Sequence, residues 1–317
     1  MTTEPQHPSE GAGQRRATPV VADAARDLAK AGVTSARAEA EMLAAYVLGV
    51  PRGRLALAEG FTDGQLEHFR NLVRRRSARE PLQHLTGSAG FRHLELAVGP
   101  GVFVPRPETE LLAGWAVERA RNGGGAEPLV VDLCSGSGAI ALSVAQEVPA
   151  ARVIAVERSA AALSWLLRNA AVRAAAGDRP IEVVEADATD PDLLAELADQ
   201  VDVLVCNPPY VPQSVAVPPE VAGHDPAEAV FGGADGLAVI GPVIHRAATL
   251  LRPGGGLGIE HDDTHGSVVP GLLAADGRYT AIADHQDLAG RPRFVTASRR
   301  ADRPAPEPAD TWQTGSS

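Results

Sequence analysis

The sequence predicts an α/β protein, in which a parallel sheet carries helices on both faces and a separate helical domain precedes it. Two observations support this class. From about residue 129 onwards, short apolar segments typical of buried strands alternate with longer helical segments. From residue 18 to about residue 79, in contrast, the pattern is helical throughout.

Composition limits the possible functions. The chain has 317 residues, of which 44% are hydrophobic, and a formal net charge of -11. This length allows one large or two ordinary domains, and the acidic charge disfavours broad binding to nucleic-acid phosphates. The cysteines Cys134 and Cys206 lack metal-ligand spacing, and neither a signal peptide nor a long apolar segment is present. We therefore expect a cytoplasmic protein with reduced thiols and no membrane contact.

The N-terminal part divides into two segments. Residues 1–17 are polar and predict a disordered arm. Residues 18–88 predict a helical domain, in which Ser35 is expected to cap a helix that Gly49 ends. The segment Thr62–Gln65 resembles a capping box at the start of the next helix.

That helix ends in three consecutive arginines, Arg74, Arg75 and Arg76. One interpretation is a solvated helix end, where positive side chains are favoured by the helix dipole. The other is a nucleic-acid-binding patch. The acidic charge of the whole chain favours the first interpretation.

Residues 89–105 predict a β-hairpin that turns at Gly99-Pro-Gly101 and links the helical domain to the α/β domain of residues 106–300. Pro107 suits the first turn of a helix that runs to about Arg121. Residues 301–317 are polar and proline-rich, and predict a flexible tail.

A glycine-containing loop follows the first strand of the α/β domain. The strand Leu129–Leu133 includes Asp132 and leads through Cys134 into Gly136 and Gly138, after which a helix begins. The glycines allow a ligand to approach the backbone at a helix N-terminus. A dinucleotide dehydrogenase has a similar pattern, but the Asp132 carboxylate would oppose a pyrophosphate. It suits a ligand that carries a positive amino group.

Two further carboxylates follow the next strands. Glu157 ends the second strand and can accept hydrogen bonds from both hydroxyls of a ribose. Asp187 follows the third strand, Glu182–Glu185, where it can accept from an adenine amino group. Together with the glycine loop, this spacing indicates S-adenosylmethionine.

A stiff turn follows the fourth strand, Val201–Cys206. Because proline cannot donate to a sheet ladder, Pro208 ends the strand and leaves Asn207 at its carboxyl end. The side-chain oxygen of Asn207 and the carbonyl of Pro208 are neighbouring acceptors that suit a planar NH2 group, and Tyr210 can cover it. The alternative is a rigid turn without chemistry.

Taken in chain order, these motifs resemble the class I methyltransferases that alkylate a planar or amide nitrogen. The segment Pro105-Arg-Pro-Glu-Thr-Glu110 and the helical domain before it are similar to the protein-(glutamine-N5) methyltransferases of peptide chain release factors. Further matches are Gly87 with Phe91, Gly232–Leu237, Leu251–Gly255, Ile259-Glu260 and Asp287–Gly290 with Arg293. The resemblance implies a Rossmann-like, mostly parallel sheet of seven strands behind a helical substrate-recognition domain.

The resemblance also implies roles for individual residues, with S-adenosyl-L-methionine as cofactor and no metal. The cofactor-binding residues would be Asp132, Cys134, Gly136, Gly138, Glu157, Asp187 and Asn207. The substrate-binding residues would be Asn207, Pro208, Pro209, Tyr210, Arg106 and Glu108, of which Asn207, Pro208 and Tyr210 would be catalytic. The substrate would be the glutamine of the Gly-Gly-Gln motif in a release factor.

The sequence departs from the family pattern at several positions. Cys134 stands where the wider methyltransferase loop usually has glycine. After the fifth strand, Asp262 and His265 replace a glycine and a glutamine, and Asp225 replaces a glutamate before Pro226. These changes leave the identity of the substrate open. His265 is the histidine whose position most suggests a functional role.

Three classes of function remain open: a protein glutamine methyltransferase, an N-methyltransferase of an exocyclic base amine in DNA or RNA, and a non-catalytic cofactor-binding relative. The acidic charge disfavours the second class, and the intact Asn207–Tyr210 motif disfavours the third. We therefore expect a monomeric enzyme with a protein substrate and no direct contact with nucleic acid.

Overall fold

The computed structural model describes residues 15–123 and 125–301. Most of the predicted arm (1–17) and of the predicted tail (301–317) lies outside these residues. At the end of the arm the structure is regular, because Arg15 pairs with Phe61 and Ala17 begins the first helix. No helix in the described part of the chain is long and apolar enough to cross a membrane.

The helices are α1 (Ala17–Lys30), α2 (Ala36–Leu48), α3 (Asp63–Ser77), α4 (Leu82–Thr86), α5 (Thr109–Gly123), α6 (Ala139–Glu147), α7 (Ala160–Ala175), α8 (Pro219–His224), α9 (Ala227–Val230), α10 (Ile240–Leu250) and α11 (Val268–Asp276). The strands are β1 (Ser88–Phe91), β2 (Leu94–Ala97), β3 (Leu129–Leu133), β4 (Arg152–Glu157), β5 (Glu182–Glu185), β6 (Val201–Cys206), β7 (Leu251–Glu260), β8 (Tyr279–Gln286) and β9 (Pro292–Arg299). Short 3-10 turns lie at Arg52–Leu57, Ala195–Leu197 and Asp263–His265.

The described residues divide into two compact units. The first contains residues 15–88, 98–100 and 217–225, and the second contains residues 89–97, 101–216 and 226–301. The segment 217–225, which includes α8, therefore belongs to the helical unit although it lies between β6 and β7 of the sheet in sequence. Local patterning could not predict this, because the assignment depends on contacts between distant parts of the chain.

The helical unit has its own apolar core. Leu28, Leu43, Phe61 and Phe69 are completely or almost completely buried, and the rings of Phe61 and Phe69 stack with centroids 5.0 Å apart. Burial of side chains of this size supplies the main driving force for packing the short helices together.

The ends of two helices test the local predictions. The predicted capping box is confirmed, because Gln65 N donates to Thr62 Oγ1 at 3.3 Å and Thr62 N donates to Gln65 Oε1 at 3.0 Å. Gly49 ends α2 in the left-handed conformation, with φ of 65°. Ser35 occupies the N-cap position of α2 as predicted, but its side chain makes no capping hydrogen bond.

Arg76, at the end of α3, is not solvated. It is 5% exposed, and its guanidinium pairs with Glu39 at 2.5 Å and with Glu220 at 2.9 Å. Arg79 also pairs with Glu220, at 2.7 Å. The predicted solvated helix end is therefore wrong for Arg76, although Arg74 is exposed. The acidic partners of Arg76 come from α2 and α8, and the local sequence around the arginines does not reveal them.

A seven-stranded sheet forms the centre of the second unit in the described residues. Its strand order is β5-β4-β3-β6-β7-β9-β8. Strand β9 is the one that runs in the opposite direction to the other six. Two separate apolar clusters, one including α5 and α6 and the other α10 and α11, cover the sheet. The Rossmann-like, mostly parallel sheet that the sequence predicted is confirmed, with the carboxyl ends of β3, β4 and β6 at one edge.

The hairpin turns at a different place from the one predicted. Strands β1 and β2 are joined by Arg92 and His93, so the predicted turn at Gly99–Gly101 is wrong. Arg92 adopts a φ of 50°, which is unfavourable for a residue with a side chain. Two bonds to Glu147, at 2.6 and 2.9 Å, and one from Arg92 N to Glu110 at 3.1 Å hold it there. These anchors are tertiary and leave no local turn signal.

Candidate active site

Asp132 is buried within the sheet, immediately before the glycine loop. It is 1% exposed, and its Oδ2 accepts a hydrogen bond from Ala141 N at 3.1 Å. Its Oδ1 has no hydrogen-bond partner among the described residues. Burial raises the pKa of Asp132 to about 7, although hydrogen bonds from Ser135 and Ala141 oppose the rise. A buried acceptor without a partner suits a positively charged ligand group.

The loop between β3 and α6 depends on residues with positive φ. Gly138 has φ of 88°, and a Cβ atom there would lie 2.6 Å from Leu166 Cδ1. Cys134 has φ of 58°, a conformation that costs a residue with a side chain on the order of 1 kcal/mol. This geometry explains why a glycine is usual at the position of Cys134. Gly136 has φ of 56°, and its N–H donates to Glu157.

Glu157 closes the loop from the neighbouring strand. It is 8% exposed at the end of β4, its Oε2 accepts from Gly136 N at 2.8 Å, and its Oε1 accepts from Ser159 N at 2.8 Å. The same carboxylate that was predicted to bind a ribose therefore also fixes the glycine loop. Carboxylate oxygens have spare lone pairs, so both roles are compatible.

Asp187 lies just after β5, which pairs with β4. Its Oδ1 accepts from Thr189 N at 2.8 Å, and its Oδ2 pairs with Arg158 at 3.1 Å. Burial opposes ionisation, but the hydrogen bonds from Thr189 and Arg158 outweigh it and lower the pKa of Asp187. The side chain is 42% exposed and remains accessible to a ligand.

The stiff turn after β6 lies at the same sheet edge as the glycine loop, because Leu133 and Cys206 are opposite each other in parallel register. Asn207 is half-buried, and its Nδ2 donates to Thr109 Oγ1 at 3.2 Å. No described residue donates to its Oδ1. Pro208 and Pro209 are buried. The amide oxygen of Asn207 is therefore left as an acceptor, as the sequence suggested.

Tyr210 is fixed by a residue that the sequence analysis did not assign to the site. Its hydroxyl donates to Glu260 Oε1 at 2.9 Å, and Glu260 is 1% exposed at the end of β7. Burial raises the pKa of Glu260, although the hydrogen bond from Tyr210 opposes the rise. Burial and the adjacent Glu260 also raise the pKa of Tyr210 well above its ordinary value. Glu260 appeared in the sequence only as a family match.

Two glycines allow a second loop to approach the turn. A Cβ atom on Gly232 would lie 2.4 Å from the Pro209 carbonyl oxygen, and one on Gly236 would lie 2.2 Å from the Tyr210 carbonyl oxygen. Any side chain at either position would displace the backbone of the turn. Their spacing in the Gly232–Leu237 segment was the available sequence signal, but it did not reveal this contact.

The remaining predicted residues are less central. The guanidinium of Arg106 lies over the Phe103 ring, 4.6 Å from its centroid, and Glu108 is exposed. His265 is 6% exposed, and its Cε1 would be 2.8 Å from a Cβ atom on Gly236. The role of Arg106 and Glu108 in substrate binding remains a prediction. The described residues contain no cluster of side chains that could hold a metal ion.

Comparison with known proteins identifies the family of the chain. Residues 20–87 match the PrmC N-terminal domain, and residues 116–222 match the methyltransferase small domain. The release factor glutamine methyltransferase of Mycolicibacterium smegmatis is 51% identical over 86% of this chain and 94% of its own length. The chain belongs to the release factor glutamine methyltransferase family. A second member, from Streptomyces coelicolor, is 49% identical over 88% of this chain and 96% of its own length.

One relative of this family has a different named substrate. The 4-amino-L-phenylalanine/4-methylamino-L-phenylalanine methyltransferase of Streptomyces pristinaespiralis is 40% identical over 81% of this chain and 87% of its own length. Among solved structures, the T. Thermophilus 16S rRNA N2 G1207 methyltransferase, in complex with AdoMet and guanosine, superposes with a TM-score of 0.47. It is 24% identical and covers 67% of this chain and 50% of its own.

The family assignment confirms that the chain is an S-adenosyl-L-methionine-dependent methyltransferase. The residues present fit this cofactor on structural grounds. The buried Asp132 Oδ1 lacks a partner, and Glu157 and Asp187 follow at the ends of adjacent parallel strands. The individual cofactor contacts remain predictions.

Proposed function

We propose that this enzyme transfers the methyl group of S-adenosyl-L-methionine to the side-chain amide nitrogen of a glutamine in a peptide chain release factor. One observation carries the proposal: Asn207 donates through Nδ2 to Thr109 and so leaves its Oδ1 as an acceptor. Pro208, the next residue in the chain, adds a carbonyl oxygen as a second acceptor. This pair of acceptors suits a planar NH2 group. The named activity of relatives at 44–51% identity supports glutamine as its source.

The bound cofactor supplies a methyl group that its sulfonium has already activated. The glutamine amide, in contrast, is a poor nucleophile because its nitrogen lone pair is delocalised. Asn207 Oδ1 and the Pro208 carbonyl would hold both NH2 hydrogens and so fix the nitrogen in line with the methyl group. Positioning of this kind can lower the activation free energy by about 7 kcal/mol.

The same two acceptors would stabilise positive charge as it develops on the nitrogen. A strong base is not required before transfer, because the amide proton becomes acidic only as the new N–C bond forms. This is consistent with the buried position of His265, for which no catalytic role is needed. The proton leaves to solvent after transfer.

We also propose that the helical unit, residues 18–88, recognises the protein substrate. The family match over residues 20–87 and its separate core support an independent role for this unit. Because the net charge is -11, we propose that the enzyme makes no direct contact with nucleic acid. We also propose that it is a monomer. Because release factors act on ribosomes, the reaction would take place in the cytoplasm.

The experiment is methyl transfer from labelled cofactor, followed by mass mapping of the product. A release factor should be labelled at one glutamine, and a variant with that glutamine replaced by alanine should not. Parallel reactions with tRNA, rRNA, DNA and 4-amino-L-phenylalanine test the other substrate classes, the last because of the relative that uses it. Labelling of a base or of the arylamine in preference to the release factor would refute the proposal.

A further inference from the structure

We propose that Cys134 and Cys206 form a site of oxidative modification, at which a peroxide joins the two thiols as a disulfide and weakens cofactor binding. They are the two cysteines of the chain, and both are free thiols in the structure. The inference rests on the cofactor site of the methyltransferase fold, and it does not depend on which substrate receives the methyl group.

The two cysteines lie at the carboxyl ends of neighbouring strands. Cys206 is the last residue of β6 and is opposite Leu133, the last residue of β3, in parallel register. Cys134 is the next residue after Leu133. Neighbouring strands are about 4.8 Å apart and rise about 3.3 Å per residue, so these spacings put the Cα atoms of the two cysteines about 6 Å apart. Disulfides usually join Cα atoms that are about 4.4–6.8 Å apart.

The backbone of Cys134 turns its side chain to the side on which Cys206 lies. Side chains alternate between the two faces of a strand, and Leu133 and Cys206 share one face, where both belong to the same apolar cluster. A continued strand would direct Cys134 to the opposite face. Instead, Cys134 adopts φ of 58° and packs against the cluster that contains Cys206. The left-handed conformation therefore brings both thiols to the same face of the sheet.

The difference in exposure sets the order of the reaction. Cys134 is half-buried, so a molecule as small as hydrogen peroxide reaches it, whereas Cys206 is completely buried. Burial also raises the pKa of the Cys206 thiol, which keeps it protonated and unreactive towards solutes. Cys134 is therefore oxidised first, and Cys206 reacts because it is adjacent.

The reaction has two steps. The Cys134 sulfur attacks one oxygen of hydrogen peroxide, so that an S–O bond forms, the O–O bond breaks and water leaves; the product is a sulfenic acid. The Cys206 sulfur then displaces the sulfenic oxygen, which leaves as a second water when the S–S bond forms. The two sulfurs together lose two electrons, the peroxide gains them, and both thiol hydrogens end in water.

The disulfide moves the cofactor loop. Two sulfurs in non-bonded contact must approach by about 1.5 Å to reach the S–S length of about 2 Å. Cys206 is held in the sheet between β3 and β7, so Cys134 moves. Gly136, two residues further along the loop, donates to Glu157 at 2.8 Å, and Glu157 is the carboxylate expected to hold the ribose. Displacement of this pair lowers the affinity for S-adenosyl-L-methionine, and bound cofactor in turn covers Cys134.

The experiment treats the full-length, reduced enzyme with hydrogen peroxide, with and without saturating S-adenosyl-L-methionine. Intact mass should show a monomer that has lost two hydrogen atoms, and peptide mapping should show Cys134 linked to Cys206. Calorimetry should show a cofactor affinity lower by about tenfold to a hundredfold, which corresponds to the loss of one hydrogen bond to a charged group. Dithiothreitol should restore the affinity, and bound cofactor should slow disulfide formation.

Two variants separate the disulfide from other oxidation. Cys134→Gly removes the accessible thiol, and glycine suits the left-handed conformation at this position. Peroxide should leave the affinity of Cys134→Gly at its own untreated value, even where a methionine gains oxygen. Cys206→Ala removes the buried thiol, so its oxidation should stop at a sulfenic acid on Cys134, which dimedone labels.

Thiols that both stay free in peroxide would overturn the inference, as would a disulfide that forms only between two chains. Unchanged cofactor affinity in the disulfide form would also overturn it, and so would an equal loss of affinity in treated Cys134→Gly. None of these measurements uses a methyl-accepting substrate. Failure of the wild-type enzyme to methylate any release factor, with the disulfide and the affinities as expected, would refute the proposed function alone.

Discussion

The hydroxyl of Tyr210 donates a hydrogen bond to Oε1 of Glu260 at 2.9 Å. Tyr210 ends the turn after β6, and Glu260 is the last residue of β7, the neighbouring parallel strand. The turn Asn207–Tyr210 is therefore attached to the sheet at both ends, through β6 at Asn207 and through Glu260 of β7 at Tyr210. A buried carboxylate needs such donors, because an unpaired ionised group in this environment is costly.

Tyr210→Phe should lower the free energy of unfolding by about 1–3 kcal/mol, because the bond to a charged acceptor is lost while Glu260 stays buried. Urea unfolding would measure the change. Tyr279→Phe is a matched control: this hydroxyl is also buried but donates to the neutral carbonyl of Ile244. The control should lose less, about 0.5–1.5 kcal/mol. A larger loss in the control would contradict a special role for Glu260.

The raised pKa of Glu260 predicts that kcat decreases at acidic pH. Burial raises the pKa of this carboxyl above 4.5, its ordinary value, against the opposing hydrogen bond from Tyr210. As the pH falls through the raised pKa, Glu260 gains a proton and the Tyr210 hydroxyl loses its charged acceptor, so the turn is held less firmly and kcat should fall. Measured kcat–pH profiles should show this decrease in wild type and not in Glu260→Gln. The same decrease in both proteins would assign it to another group.

Asn207→Ala should reduce kcat by about a hundredfold, because the lost acceptor matters most as charge develops on the substrate nitrogen. Cofactor affinity, measured by calorimetry, should change little. Asn207→Asp keeps an acceptor but adds a negative charge near the sulfonium, so it should tighten cofactor binding and alter turnover. A normal rate in Asn207→Ala would show that the turn is only structural.

Cofactor binding should depend on pH through Asp132. Burial raises the pKa of Asp132 to about 7, so a large fraction is protonated at neutral pH in the free enzyme. A positive amino group favours the carboxylate, so binding should release a proton and weaken as the pH falls from about 8 to about 6. Calorimetry in buffers of different ionisation enthalpy would detect the proton. Asp132→Asn should bind more weakly, with no proton release from this position.

The helical unit should lose stability in acid through Glu220. Burial opposes its ionisation, but the bonds from Arg79 and Arg76 lower the pKa of Glu220 to about 2. A lowered pKa stabilises the fold fully above 4.5, the ordinary value, and the contribution is lost as the pH falls towards 2. Thermal unfolding should show Glu220→Gln less stable than wild type at neutral pH, with a difference that shrinks in acid. Glu67→Gln, on the exposed face of α3, should show no such difference.

The local elements of the site could be predicted from the sequence. Strand β6 and the turn at Asn207–Pro208 follow from apolar residues that end at a proline, which has no N–H for a ladder. The capping box at Thr62 and Gln65 needs only residues three positions apart. The strand bounds Leu129–Leu133 and Glu182–Glu185 were predicted as the structure has them. In each case, the chemistry of neighbouring residues is enough to decide the conformation.

The tertiary structure alone decided which distant groups meet. Arg76 is buried because α2 and α8 bring Glu39 and Glu220 to it, and the hairpin turns at Arg92 because Glu147 holds that side chain. Thr109 reaches Asn207 across 98 positions of sequence. A buried charge or hydroxyl is stable only when its hydrogen bonds are satisfied, and strand order and helix packing determine which partners are within reach. The sequence by itself indicated Asn207 as the acceptor for the substrate nitrogen, while the fold determined which residue, Thr109, receives the hydrogen bond of its amide nitrogen.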